Sequence, residues 1–225
     1  MPPRLVRMES PYTAVLFDLD GTIVDSAPGI TATLAKTFAA MGLPIPAPAE
    51  LLAYVGPPIL DAFRERAGFD DATARRALEI YRPLYREHGV YDATVYPGLP
   101  AVLQHIHEAG LPLSLATSKP ETPAGMVLDH FGLRPWFDEL TGASDDEVRS
   151  AKADVVAEAL RRLAARRADL SHPVMVGDRS HDVHGAAAHG VPTVFVTWGY
   201  GAPEEQAGAV SVVDDTAELL RSLGL

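Results

Sequence analysis

The chain has 225 residues, more than a typical single domain and few for two full ones, which favours one domain that carries an insertion. Apolar residues make up 47% and charged residues 22%, the balance of a globular protein with a buried core. The net charge of −11 disfavours nucleic acid as a partner, because the protein and the phosphate backbone repel each other. The sequence has no cysteine, which excludes disulfides and thiolate metal sites.

Neither the N-terminal sequence nor the length of the apolar runs points to a membrane. The N-terminal sequence MPPRLVRMESPY lacks the apolar core of a signal peptide, and no apolar run approaches the roughly 20 residues that a membrane span needs. We therefore expect a soluble, cytoplasmic protein without a membrane partner. Composition leaves open whether it is a monomer or a homodimer.

Short apolar runs along the chain predict β-strands. Such runs are continuous, not alternating, which is typical of parallel strands buried on both faces; they occupy residues 14–18, 113–117, 174–177, 193–197 and 210–213. Helical patterns, several of them followed by glycine, occupy residues 99–109, 122–131, 151–167 and 181–189, and a last helix opens at Asp215. This alternation predicts an α/β fold with a Rossmann-like parallel sheet.

A stretch of about 90 residues between the first two strands breaks the alternation and is longer than an ordinary connection. It contains helical patterns at residues 30–41, 59–67 and 72–88, and Pro83 predicts a kink or an interruption in the last of these. We therefore predict a small α-helical cap domain of residues 27–94, inserted into an α/β core domain of residues 1–26 and 95–225.

Polar side chains follow the predicted strands at the edge where open α/β sheets bind ligands. They are Asp18 and Asp20 after the first strand, Thr117 and Ser118 after the second, and Asp178 after the third. Two further residues fall near the starts of the following helices, Lys152 and Asp182. An Asp-Gly turn alone would account for the first pair without any chemistry, but the whole set is hard to explain in that way.

These residue types suit phosphoryl transfer. Asp18 can attack phosphorus, and Asp20 can give a proton to the leaving group and take one from water. The hard carboxylates of Asp18 and Asp178 suit Mg²⁺, which offsets their repulsion and brings an anionic substrate to an anionic nucleophile.

Hydroxyl, backbone and cationic donors can then hold the phosphate oxygens, and the candidates are Thr117, Ser118 and Lys152. The histidines His181 and His184 have a spacing that can serve a metal, but no third nitrogen or sulfur ligand accompanies them.

The motifs DLDGTIVDS, ATSKP, RSAKADVV and VGDRSHDVHGA, in this order, resemble the haloacid dehalogenase superfamily, and in particular its phosphatases with a helical cap of the C1 type. The segments YVGPPI and VYPGLPAVLQHI are similar to the phosphoglycolate phosphatase-like group.

The resemblance implies that Asp18 is the nucleophile and Asp20 the general acid and base. It also implies Mg²⁺ held by the Asp18 side chain, the Asp20 backbone carbonyl and Asp178, with Asp182 supporting these ligands. Lys152 lacks the Lys-Pro context that is commoner in the family, so Lys119 is the alternative for its role.

The predicted function is a Mg²⁺-dependent phosphatase that hydrolyses a small phosphorylated metabolite through an aspartyl phosphate, most like a phosphoglycolate phosphatase. A 5′-nucleotidase or a sugar-phosphate phosphatase is the alternative, and a phosphomutase or a phosphoacceptor signalling module is more remote. In the cap, Tyr54, Arg64 and Arg66 are candidates for contact with the distal part of the substrate.

Overall fold

The computed structural model describes residues 10–146 and 148–225. The reading of residues 1–9 as free of a signal core, and their assignment to the core domain, therefore lie outside the described residues. The strands are β1 (Ala14–Phe17), β2 (Val24–Asp25), β3 (Thr94–Val95), β4 (Leu113–Pro120), β5 (Glu139–Ala143), β6 (Pro173–Gly177), β7 (Thr193–Val196) and β8 (Ser211–Val213).

The helices complete the architecture. They are α1 (Ala27–Ala40), α2 (Pro48–Leu52), α3 (Ile59–Glu65), α4 (Asp71–Glu87), α5 (Leu99–Glu108), α6 (Glu121–His130), α7 (Lys152–Ala165), α8 (Ser180–Ala187) and α9 (Thr216–Ser222), with short 3₁₀ turns at Gly89–Tyr91, Arg134–Trp136 and Pro203–Gln206. Among the described residues, no helix combines the length and the apolar character that a bilayer crossing needs.

A parallel sheet with the order β5-β4-β1-β6-β7-β8 forms the centre of the described fold. Strand β1 lies between β4 and β6, and Val15 is paired with Leu113 on one side and Val174 on the other. All four residues of β1 are fully buried, because both faces of the strand are covered by packed side chains. The predicted α/β fold with a parallel sheet is confirmed.

The five strands that the apolar runs predict are all present, but strand β5 is missed. Its sequence, Glu-Leu-Thr-Gly-Ala, has no continuous apolar run, and its first two residues are only half-buried at the edge of the sheet. Pairing with β4 and packing against α7 stabilise it as a strand, and these contacts are tertiary. The short helix α2 and the two-residue strands β2 and β3 are missed as well.

The helices between β2 and β3 pack around an aromatic cluster. Phe63 lies at its centre, with ring centroids 6.0 to 6.3 Å from those of its neighbours; these are Phe38, Tyr54, Phe69 and Tyr81. This cluster supplies the helical segment with an apolar interior next to the sheet. The division into a core of residues 1–26 and 95–225 and a cap of residues 27–94 stays a prediction.

Helix α4 continues through Pro83, so of the two predicted outcomes the interruption is wrong and the kink stays a prediction. Proline removes one helical hydrogen bond, the one to the carbonyl of Glu79. Both Pro83 and Glu79 are exposed, so water can solvate the carbonyl that loses its partner. The rest of the helix is held by its buried face, which includes Tyr81 and Tyr85.

The two ends of the helical segment meet where α1 crosses the turn Gly89–Tyr91. Strands β2 and β3 pair antiparallel, and the N–H of Gly29 donates to the carbonyl of Asp92 at 3.0 Å. A side chain on Gly29 would put its Cβ 2.0 Å from the backbone oxygen of Gly89. The close approach of two backbones therefore requires glycine at this position.

We expect Gly29→Ala to lower the free energy of unfolding by about 2 kcal/mol, because the backbone of the turn has to move away from the new methyl group. Urea unfolding followed by circular dichroism measures the change. Gly125→Ala in α6 is the matched control, since its Cβ would meet the flexible end of Arg134 at 3.1 Å and, at an ordinary contact distance of 3.5 Å, Cδ1 of Leu140. Its effect should stay within about 1 kcal/mol in either direction. Equal losses in the two variants would contradict the interpretation.

Candidate active site

Asp18 is placed at the carboxyl edge of the sheet by the strand that precedes it. Its backbone N–H donates to the carbonyl of Val176 at 2.9 Å, which continues the pairing of β1 with β6. Its carboxylate is buried and lies 2.7 Å from Nζ of Lys152. Burial raises the pKa of Asp18 above its usual value, although Lys152 acts in the opposite direction.

Lys152 joins three parts of the core. Its Nζ lies 2.7 Å from Oδ1 of Asp18 and 2.7 Å from Oδ1 of Asp182, and it donates to the carbonyl of Ala116 at 3.0 Å. Burial by itself would lower the pKa of Lys152, but the charges and hydrogen bonds of the two carboxylates outweigh it, so the pKa lies above its usual value. The side chain is therefore a charged lysine between two aspartates.

Asp178 follows β6 and is held by two donors. The hydroxyl of Thr22 donates to Oδ1 at 2.9 Å, and the backbone N–H of Tyr200 donates to Oδ2 at 2.7 Å. Burial, reinforced by the charges of Asp182 and Asp18, raises the pKa of Asp178 to about 8. The two hydrogen bonds do not compensate fully for the loss of water around the carboxylate.

Three carboxylates converge at this edge of the sheet. Oxygen atoms of Asp18, Asp178 and Asp182 all lie within 4.8 Å of one another, and all three residues are buried. One lysine cannot neutralise three carboxylates, and hard oxygen donors match the preference of Mg²⁺. The residues present therefore fit a divalent metal. Asp182 also accepts from the backbone N–H of Arg179 at 3.0 Å.

Gly21 allows the chain to turn directly after Asp20. Its φ of +88° is a conformation that residues with a side chain rarely adopt. A Cβ here would also lie 2.3 Å from Oδ2 of Asp178 and 2.7 Å from the ring of Tyr200. The turn and the carboxylate cluster are therefore compatible only with glycine at this position.

Asp20 forms a second buried ion pair, with Lys119. The Nζ of Lys119 lies 3.0 Å from Oδ1 and 2.9 Å from Oδ2 of Asp20, and 4.6 Å from the centroid of the Tyr85 ring. Asp18 and Asp20 thus each pair with a different lysine. The sequence named Lys119 only as an alternative to Lys152, whereas the structure brings both into the site.

Thr117 and Ser118 lie at the end of β4, next to Lys119. Both are buried, and the hydroxyl of Thr117 accepts from the backbone N–H of Lys119 at 3.2 Å. Ser118 lies in the wall of a cavity between the sheet and the helical segment, where the pairing of β4 with β5 is irregular between Thr117 and Pro120.

The cavity has a volume of about 230 Å³ and includes Asp20, Ser118 and Lys119 in its wall, but not Asp18. The helical segment supplies most of the remaining lining, which is largely apolar: Ile30, Tyr54, Ile59, Leu78, Tyr81 and Tyr85, with Arg82 and Arg86.

Of the cap candidates, the structure brings only Tyr54 to this cavity. Arg64 is not among the lining residues, because it forms ion pairs with Asp61 and Asp71 within the helical segment. Arg66 does not line the cavity either. The arginines that reach it come from α4, where the helical period places Arg82 and Arg86 one turn apart.

Two residues that sequence reasoning missed connect the core to the helical segment. The hydroxyl of Tyr200 donates to Asp25 at 2.7 Å and accepts from the N–H groups of Ser26 and Ala27 at 2.8 and 3.0 Å. The guanidinium of Arg179 donates to the carbonyl of Val55 at 2.7 Å and pairs with Glu205 at 2.9 Å. In the sequence, the position of Arg179 inside the VGDRSHD motif was a signal that this residue lies near the site. Tyr200 lies outside the motifs, and no sequence pattern indicated its role.

The sequence model of the family described as haloacid dehalogenase-like hydrolase matches residues 15–196. This chain belongs to that family. The predicted superfamily is thereby confirmed. The matched range includes every residue of the carboxylate and lysine cluster.

Curated relatives carry several names. PtkA of Mycobacterium tuberculosis, a tyrosine-protein kinase, is 42% identical over 86% of this chain, which spans 64% of the length of PtkA. A 5′-nucleotidase of Pseudomonas aeruginosa is 36% identical over 86% of each chain. A phosphoglycolate phosphatase of Rhodospirillum rubrum is 36% identical over 94% of this chain and 90% of its own.

Among solved structures, a predicted phosphatase from Clostridium acetobutylicum superposes with a TM-score of 0.87 and 36% identity, over 93% of this chain and 97% of its own. The similarity therefore extends across the sheet and the inserted helices together.

The raised pKa values predict how the stability of the metal-free protein depends on pH. The folded protein retains a proton on Asp178 up to a pH of about 8, whereas the unfolded chain releases it near 3.8. The folded state thus binds more protons in this window, so the free energy of unfolding should fall as the pH rises from about 4 to 8. Asp18 contributes in the same direction.

Urea unfolding in the presence of a chelator, across this pH range, measures the effect. Asp178→Asn removes the titrating group and should flatten the profile. Asp154→Asn, at an exposed position in the first turn of α7, should leave the profile as it is in the unmodified protein. A profile that rises with pH in the unmodified protein would contradict the expectation.

Proposed function

We propose that the protein is a Mg²⁺-dependent phosphatase that hydrolyses a small phosphomonoester through an aspartyl phosphate on Asp18. The observation that carries the proposal is the convergence of three buried carboxylates on one buried lysine at the carboxyl edge of the sheet. Membership in a family of hydrolases supports the same reaction class.

In the first step, an oxygen of Asp18 forms a bond to phosphorus while the bond from phosphorus to the ester oxygen breaks. Lys152 holds the Asp18 carboxylate in place at 2.7 Å. Asp20, two residues further on, gives its proton to the departing oxygen. The alcohol then leaves, and the phosphoryl group stays on Asp18.

In the second step, water attacks phosphorus and the bond to Asp18 breaks. Asp20 accepts the proton of this water, which returns both aspartates to their starting states. Thr117, Ser118 and Lys152 hold the phosphoryl oxygens with hydroxyl, backbone and ammonium donors. Lys119 stays within reach of Asp20 throughout and keeps that carboxylate facing the cavity.

The proposed metal ligands are the side chains of Asp18 and Asp178 and the backbone carbonyl of Asp20, and Asp182 supports them through Lys152. When bound, Mg²⁺ supplies positive charge that reduces the repulsion between the anionic phosphate and the carboxylates. Burial beside Asp182 and Asp18 raises the pKa of Asp178, and a bound cation would favour its charged form, which supports this assignment.

Transfer of the phosphoryl group to an acceptor other than water is the second candidate. It is favoured by one observation, the 42% identity to PtkA, which is named a tyrosine-protein kinase. We propose hydrolysis because Asp20 and the cavity together serve a small substrate and an attacking water. Release of free phosphate would indicate hydrolysis, whereas phosphate label on an acceptor protein would indicate transfer.

Asp18→Asn should lower kcat for a phosphomonoester by at least about 1,000-fold, because an amide cannot form the phosphoenzyme. Phosphate release from a panel of phosphomonoesters, in the presence of Mg²⁺, measures this. Asp154→Asn is the matched control and should retain the activity of the unmodified protein. Undiminished hydrolysis by a pure preparation of the Asp18 variant would rule out the mechanism.

Mg²⁺ should also bind without any substrate. At saturating Mg²⁺ and pH 8, we expect the midpoint of thermal unfolding to rise by about 5 °C, because the ion binds only the folded state. Asp178→Asn should show little response, and Asp154→Asn the full response. No shift in the unmodified protein would exclude a metal site of useful affinity.

A further inference from the structure

The wall of the cavity beyond Lys119 is built from tyrosine rings. Tyr81 and Tyr85 lie one turn apart on α4 with parallel rings, centroids 5.4 Å apart and planes at 8°. Tyr54 lines the same cavity from the chain between α2 and α3. Aromatic faces of this kind bind flat rings well and gain little from small polar chains.

The tyrosine wall begins next to the reacting groups. Nζ of Lys119 is within 3.0 Å of both carboxylate oxygens of Asp20 and 4.6 Å from the centroid of the Tyr85 ring. The ammonium group of Lys119 therefore contacts both Asp20, the proposed general acid, and the ring of Tyr85. The alcohol that leaves phosphorus when the phosphoryl group moves to Asp18 takes its proton from Asp20, which lines the same cavity as the tyrosine rings.

Tyr85 also has an unused polar group. The residue is 4% exposed, and its hydroxyl has no hydrogen-bond partner within residues 10–146 and 148–225. A buried hydroxyl without a partner costs free energy, so it needs an explanation such as a ligand. Its ring lines the cavity, where a bound molecule would be the partner.

The polar residues farther along the wall are Arg82, Arg86, Thr122 and Asp145, and the two arginines supply donors only. Arg82 donates to the backbone carbonyl of Asp145 at 2.9 Å, and Arg86 lies one turn further along α4. Both line the cavity, and Arg86 is exposed, so this end faces solvent. Guanidinium groups at this point favour ligand atoms that accept hydrogen bonds.

We propose that this cavity selects phosphomonoesters whose leaving group carries a planar heteroaromatic ring, stacked on the tyrosine wall, with acceptor atoms towards Arg82 and Arg86. The inference rests on the proposed phosphatase function and names its substrate class. A two-carbon acid such as glycolate carries no ring to place against the tyrosine wall and would leave the Tyr85 hydroxyl without a partner. The relatives named 5′-nucleotidase and phosphoglycolate phosphatase are equally similar at 36% identity, so identity alone does not choose between these classes.

The test compares kcat/KM for four esters with Mg²⁺ present. Pyridoxal 5′-phosphate and adenosine 5′-monophosphate carry heteroaromatic rings, whereas phosphoglycolate and glycerol 3-phosphate carry none. We expect at least one ring-bearing ester to exceed both ring-free esters by about 10-fold or more. In pyridoxal 5′-phosphate one carbon separates the ring from the ester oxygen, and in adenosine 5′-monophosphate a ribose does, so their ranking reports how far the ring lies from Asp20.

Variants of the wall make the test specific. Tyr81→Leu should lower kcat/KM for the preferred ring-bearing ester about 10-fold and change the ring-free esters less than about twofold, because only stacking is lost. Tyr81→Phe should keep the preference. Tyr85→Phe, which removes only the hydroxyl, should lower kcat/KM for the ring-bearing ester about threefold.

Tyr91→Leu is the matched control, since Tyr91 is 45% exposed, contacts His130 and does not line the cavity. It should leave all four values unchanged. Thermal unfolding by circular dichroism shows whether Tyr81→Leu is folded, and Tyr81→Phe and Tyr85→Phe keep the test decisive if it is not.

The outcomes separate the inference from the function on which it rests. The aromatic selection would be overturned if a ring-free ester had the highest kcat/KM, or if Tyr81→Leu lowered kcat/KM equally for all esters. Either result would leave the phosphatase function intact. Failure to hydrolyse any ester, with Mg²⁺ bound, would overturn the phosphatase itself and the inference with it.

Discussion

The site depends on one electrostatic constraint, the ion pairs of the buried Lys152 with Asp18 and Asp182 at 2.7 Å each. A buried charge without a partner is strongly destabilising, so these three residues position one another. They come from the end of β1 and the starts of α7 and α8, and their contacts therefore fix how these elements meet. Asp178, the third carboxylate of the cluster, keeps its proton up to a pH of about 8 in the metal-free protein because it is buried beside Asp182 and Asp18, and a divalent cation among these oxygens would replace that proton.

A second buried pair, Lys119 with Asp20, lines the cavity. Of the residues in these two pairs, Lys119 and Asp20 line the cavity, whereas Lys152 and Asp18 do not. Tyr200 and Arg179 extend from the core to the helical segment through hydrogen bonds to Ser26, Ala27 and Val55. Both residues also touch the carboxylate cluster through their backbone N–H groups, so the position of the helical segment and the geometry of the cluster are physically connected.

Relatives with different printed names share the family to which this chain belongs. The carboxylate and lysine cluster lies at the carboxyl edge of the sheet, where strand pairing and buried ion pairs leave little freedom. The cavity wall comes mainly from α4 and the chain around Tyr54, which are free to change without disturbing the sheet. Differences in substrate are therefore expected in the helical segment, and the tyrosine and arginine pattern on α4 is the part of this protein that sets its preference.

The sequence by itself determined the parallel α/β sheet, the order of the motifs and the family, because continuous apolar runs and strand-end carboxylates are local patterns. It also named the residues that the structure brings together around Lys152. Only the tertiary structure decided that β5 forms, that α4 continues through Pro83, and that Arg64 pairs within the helical segment while Arg82 and Arg86 reach the cavity. The same holds for the separate lysine of Asp20 and for the roles of Tyr200 and Arg179. These features depend on contacts between residues far apart in the chain, and no local pattern encodes which distant partner a side chain meets.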